Sequence, residues 1–173
     1  GETEAAVRAL RQGLRLNPEL LPFHEELAPL LIRLGRAKEA VQAARKWIQA
    51  SPEAEKAYNI LGMGLLAKHE PERAREAFEQ AIALRAEYPE AWNNLGNTWF
   101  VQHNLEEAIA AYRRAVELEP AFSQAWSNLA DSYRSDLQLD RAVEAAERAL
   151  AVDADNHAAW TNKGTIHQAR GEM

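Results

Sequence analysis

The sequence predicts an all-α fold, a solenoid made by stacking antiparallel helix pairs. Three observations predict it. Trp92, Trp126 and Trp160 are separated by 34 residues each, and the same step backwards lands on Tyr58 and His24. Three residues after these positions come Leu27, Leu61, Leu95 and Leu129, each followed by a small residue, Ala28, Gly62, Gly96 or Ala130. That spacing is one face of an amphipathic helix. Sixteen residues after the aromatic position stands Ala40, Ala74, Ala108 or Ala142, with Ala6 on the same frame, so each period holds a second helix that can approach the first closely. One such pair cannot bury its apolar faces alone. Several stacked pairs make a continuous core and a superhelix with a concave side.

The elements follow in order. Residues 1–20 read as the second helix of a truncated repeat, 21–54, 55–88, 89–122 and 123–156 as full repeats, and 157–173 as the first helix of another truncated one. Within 89–122, Trp92, Leu95, Gly96 and Trp99 fall inside a stripe of about 100°, the expected buried face. Leu10, Ala44, Phe78, Tyr112 and Ala146 share one frame position on the second helices. Units close at Pro18, Pro52 and Pro120, with Ala86 and Ala154 as exceptions, because the residue before a proline is pushed out of the helical region. His103-Asn104 is the predicted turn inside its pair, Asn104 taking the left-handed conformation that Gly35 supplies earlier. Some positions depart from the pattern. His24 replaces a large aromatic, Trp47 stands where later units have alanine and predicts looser packing, and Lys163 replaces a leucine. Pro29, mid-helix, costs about 3 kcal/mol unless the helix kinks. These departures predict a firm centre and softer ends.

A 34-residue period carrying Trp92, Leu95, Gly96, Trp99, Ala108, Tyr112, Ala115 and Pro120 resembles the tetratricopeptide repeat family. The resemblance covers the whole chain. It implies a right-handed superhelix of helix pairs and a role in binding proteins or extended peptides.

Composition narrows the function further. The 173 residues carry a formal net charge of −6, the opposite of a nucleic-acid footprint. Cysteine is absent, which excludes disulfides, thiolate metal sites and cysteine nucleophiles. No apolar run reaches the length of a membrane span and no signal peptide opens the chain, so the reading is no membrane partner, and a compartment that the sequence leaves unknown while favouring the cytoplasm. Gly1 and Met173 read as the ends of a fragment. Helices at such ends, with Leu10, Leu14 and Trp160, lead to an expectation of end-to-end self-association.

The candidate site is the face opposite the Trp stripe. Asn94 lies about 200° round the helix from Trp92, with Asn97 and Val101 beside it. The same angular positions give a concave peptide-binding groove: Lys56, Ile60 and Met63, then Asn94, Asn97 and Val101, then Gln124, Asn128 and Asp131, then Asn162. Asn94, Asn128 and Asn162 are equivalent and form a ladder. An amide both donates and accepts, which suits a peptide backbone of any sequence. The ladder is similar to the peptide-holding asparagines in the repeat arm of O-linked N-acetylglucosamine transferases. The other reading is that these amides only line the surface or bond neighbouring helices. Ile60 and Met63 would add an apolar pocket. The family's carboxylate clamp is rejected, because its cationic positions here read Asn93, Ala158 and Asn162.

Catalytic and metal chemistry find no residues to carry them. His69 and His103 are equivalent on successive repeats, so helix spacing of about 10 Å separates them too far for one metal. His157 and His167 are about 280° out of phase. The sequence therefore predicts no cofactor, no metal site and no catalytic residue. Two functions remain: a module that binds an extended peptide or protein segment, or the substrate-recruiting arm of a larger enzyme, such as an O-GlcNAc-transferase-like glycosyltransferase, whose catalytic domain lies outside this chain. An assembly scaffold using its ends or convex face is a third.

Overall fold

The computed structural model describes residues 2–170. Ten α-helices and no strand occur among them: α1 (Glu2–Leu16), α2 (Leu21–Arg33), α3 (Ala37–Ala50), α4 (Glu55–Leu66), α5 (Pro71–Leu84), α6 (Pro89–Val101), α7 (Leu105–Leu118), α8 (Ser123–Ser135), α9 (Leu139–Val152) and α10 (His157–Arg170). Met173, expected to lie in a helical pattern, falls outside the described residues, as does Gly1. The fold groups into two compact units, Gly1–Ala86 and Glu87–Met173.

The turn inside each helix pair closes the same way every time. The backbone N–H groups of Arg36, Glu70, Asn104 and Gln138 reach back to the carbonyls of Leu31, Leu65, Trp99 and Tyr133. The residue before each donor is left-handed, with φ of 68° at Gly35, 59° at His69, 62° at His103 and 60° at Leu137. This is the Schellman stop, in which two orphan carbonyls of the last turn are satisfied at once. It corrects the expectation for Asn104, whose φ is −87°. The hydrogen-bond geometry puts the left-handed residue one position earlier, and a histidine or leucine is forced to take it.

The loop between pairs explains the repeated aromatic. Trp126 Nε1 donates to the Pro120 carbonyl at 3.0 Å, and Trp160 Nε1 to the Ala154 carbonyl at 2.8 Å. His24 Nε2 donates to the Pro18 carbonyl at 2.6 Å. The closing position contributes its carbonyl, so alanine serves there as well as proline. The aromatics are accordingly not the deepest residues. Trp92 and Trp126 are half-buried and Trp160 is 54% exposed. The expected tryptophan stripe is a rim, and at α2, α8 and α10 this position ties the helix to the loop before it.

The core lies between the helices of each pair. In the first unit Leu27, Ala28, Leu31, Ala40, Ala44 and Trp47 form one cluster with Val7 and Leu10 of α1. Trp47 is 2% exposed there, so the small alanines around it give room and the packing is not loosened. Pro29 lies inside α2, which continues to Arg33 with Leu31 fully buried. Ala6, on the frame of the buried alanines, is exposed, because α1 turns Val7 and Leu10 to α2 instead. In the second unit Tyr112, Leu129, Ala130, Tyr133, Ala146 and Ile166 form the corresponding cluster. Lys163, off the pattern, forms an ion pair with Glu147 at 3.1 Å.

Candidate functional site

In the second unit, helices α6 and α8 carry most of the proposed groove residues. Both start straight from extended or bent loop residues without a side-chain cap. Their apolar positions, Leu95 and Leu129, are buried. That fixes the rotation of each helix and brings their asparagines face to face.

Asn128 is the hub of what results. Its Nδ2 donates to Asn93 Oδ1 at 2.9 Å and to Asn97 Oδ1 at 3.1 Å. Its Oδ1 accepts from Gln124 Nε2 at 2.9 Å, one turn earlier on the same helix. Asn97 Oδ1 accepts a second bond, from the Tyr112 hydroxyl of α7 at 2.7 Å. Burial, with the charge of Asp131 adding to it, pushes the Tyr112 phenol well above its ordinary range, so it stays a donor. Asp131 itself is bound to Arg134 of the same helix. Asn162 of α10 donates to the Ser127 carbonyl of α8 at 2.9 Å.

The amides therefore do bond neighbouring helices. Asn128 and Asn162 each reach to the residue 35 positions earlier, which stands directly after the aromatic of the previous repeat. Among the described residues Asn97 Nδ2 and Gln124 Oε1 keep no protein partner. Gln124 is exposed and Asn97 half-buried. A donor, Asn97 Nδ2, and an acceptor, Gln124 Oε1, are thus left over on a face where Asn128 is held on both sides.

The remaining predicted residues are spread more widely. Val101, at the end of α6, is 59% exposed, and Asn94 is half-buried on the same helix. In the first unit Lys56 is exposed on α4 and Met63 half-buried. Ile60, expected to line an apolar pocket, is only 9% exposed and belongs to that unit's core. Its helix is turned so that Ile60, with Ala57, faces the second helix of the pair before.

Two members of the network escaped the sequence reading, Asn93 and Tyr112. A signal was present. Asn59, Asn93 and Ser127 each follow the aromatic of their repeat by one residue, and all are buried. At Asn93 the side chain accepts the bond from the next first helix, and at Ser127 the backbone carbonyl does.

The tetratricopeptide repeat profile matches residues 1–55, 61–125 and 127–173. Among solved structures the chain is similar to MamA, with 25% identity over 89% of this chain and 90% of that one and a TM-score of 0.78. It is similar to TTC0263, a thermophilic protein of Thermus thermophilus, with 20% identity over 97% and 92% and a TM-score of 0.80. A third is YrrB, described as having an unusual peptide-binding site, with 20% identity over 96% and 86% and a TM-score of 0.73. The two at 20% speak to the fold alone. No curated protein sequence matches the chain.

Proposed function

The chain belongs to the tetratricopeptide repeat family, and on that premise we propose that it binds an extended peptide or protein segment along the first-helix face of α6 and α8. The observation that carries this reading is the amide network centred on Asn128, which leaves Asn97 Nδ2 unspent as a donor and Gln124 Oε1 unspent as an acceptor. A peptide group offers the complementary carbonyl and N–H. Because the network holds both side chains before a ligand arrives, little rotamer entropy remains to be lost on binding. Val101 supplies apolar contact at one end of the face, and Asp131 and Asn162 extend its polar lining. In the first unit, taken by itself, exposed Lys56 and half-buried Met63 on α4 are the residues proposed for contact.

Asn97→Asp is the discriminating variant. It keeps an oxygen to accept from Tyr112 and Asn128 and exchanges the unspent donor for a carboxylate oxygen, which also adds a negative charge. Peptides selected from a random display library on the parent chain should lose affinity for Asn97→Asp by about threefold to tenfold. Gln124→Ala should weaken them similarly, and both variants should melt like the parent. Selected peptides that bind both variants at full strength would place the binding surface elsewhere.

A further inference from the structure

The first unit contains a cleft that the groove does not use. Its cavity is about 680 Å³, within the range of ligand-binding pockets. Helix α2 forms the floor with His24, Leu27 and Leu31. Arg11 and Arg15 of α1 stand on one side, and Gln42, Lys46 and Gln49 of α3 on the other.

The cleft has a sequence cause. His24 occupies the position that is Tyr58, Trp92, Trp126 or Trp160 elsewhere in the chain. Its Nε2 makes the same loop-tying bond that Trp126 and Trp160 make. An imidazole lacks the six-membered ring of an indole, so the loop is held while the space beside it stays open. With Nε2 donating to Pro18, Nδ1 is left as an acceptor, and it is enclosed without a protein partner. The charge on the walls is local and positive in an acidic protein. Arg11 is engaged by Glu39, which Arg36 also binds. Arg15 and Lys46 form no ion pair among the described residues; of the two acids lining the cleft, Glu39 is held by Arg11 and Arg36, and Glu19 is left to oppose them.

We infer that this cleft binds an acidic segment of a partner protein, which inserts an aromatic side chain where the other repeats supply their own. Leu14 and Ala50, half-buried in the lining, offer the ring its apolar contact above the enclosed Leu27 and Leu31. Arg15 and Lys46 select the flanking carboxylates, and Gln42 and Gln49 bond the segment's backbone. Since the rest of the protein repels an acidic partner, the attraction is confined to these two cations and weakens as salt rises.

Fluorescence anisotropy with a labelled peptide of one tryptophan between two runs of aspartate tests this. The peptide should bind saturably, and Arg15→Glu with Lys46→Glu should weaken it by about tenfold or more. Both residues are exposed, so circular dichroism should show the fold unchanged. His24→Trp should block binding by filling the cleft. Replacing the peptide's tryptophan by alanine, or its aspartates by lysines, should abolish binding, while Asn97→Asp in the protein should leave it intact. Absence of saturable binding, or binding indifferent to the cleft variants, would overturn the proposal. So would sedimentation showing that the protein dimerises alone and that the same variants dissolve the dimer, which would make the occupant a second copy of the chain.

Discussion

Gly96 of α6 and Tyr112 of α7 are complementary shapes: a Cβ placed on Gly96 would lie 2.6 Å from one ring carbon of Tyr112 and 2.7 Å from another. Gly62 and Phe78 stand in the same relation one repeat earlier, with a nearest approach of 2.5 Å. In the next repeat the same two positions hold Ala130 and Ala146, both fully buried. Volume taken from the first helix is returned by the second, so close packing is kept with different residues.

Gly96→Ala should therefore destabilise, although alanine is the better helix former. Overpacking costs about 1–3 kcal/mol, against a helix-propensity gain of about 0.5–1 kcal/mol. Adding Tyr112→Ala should cost less than the two single losses summed, because the clash disappears with the ring. Urea unfolding of the two single variants and the double variant measures this. Additive losses would show that the two residues do not share a space.

Leu137→Gly should stabilise. Leu137 is 83% exposed and left-handed, so its side chain contributes little burial while its backbone is strained. Relief of about 1–2 kcal/mol, less the entropy of a glycine at about 0.5–1 kcal/mol, leaves a net gain of several tenths to 1 kcal/mol. His103→Gly and His69→Gly should behave alike. Thermal melts decide the sign.

Asn128→Ala should cost stability as well as any ligand affinity. Asn93 is 6% exposed and loses its donor from Asn128, a loss of about 1–3 kcal/mol for a buried acceptor left unsatisfied. The sequence alone, placing this amide in a wet groove, gives no such cost. Tyr112→Phe should lose about 0.5–1.5 kcal/mol through its bond to Asn97. Chemical denaturation of both variants beside Asn97→Asp separates structural from ligand-directed amides.

Acid should loosen the contact of α1 with α3. The hydrogen bonds from Arg36, and then those from Arg11, hold the Glu39 carboxyl down at about 2 from its ordinary 4.5. A carboxylate with a depressed folded-state pKa contributes stability above its unfolded value and loses it as pH falls through the folded one. The stability difference between the parent and Glu39→Gln should therefore be full at neutral pH, shrink below pH 4.5 and vanish near pH 2. High salt should reduce it throughout, since the pair is partly exposed. A difference that is constant with pH would remove the ion pair as its cause.

What the sequence determined by itself is periodic. The 34-residue step sets the helices, their pairing and the small residues at the crossings, because each repeat must present the same shape to its neighbour. Which residue of a frame position is buried was also largely legible: Leu95, Ala108, Tyr112 and Leu129 are all enclosed. Three things needed the tertiary structure. The left-handed residue is His103 and not Asn104, because the stop is chosen by two backbone hydrogen bonds that override residue preference. Trp126 and Trp160 lie at the rim, because a loop carbonyl accepts the N–H of each. The amides of α8 and α10 are spent on neighbouring helices, because Asn93 and the Ser127 carbonyl lie within reach only once the first helices stand side by side. Angular position on a helix gives the direction of a side chain. The distance to its partner belongs to the packing.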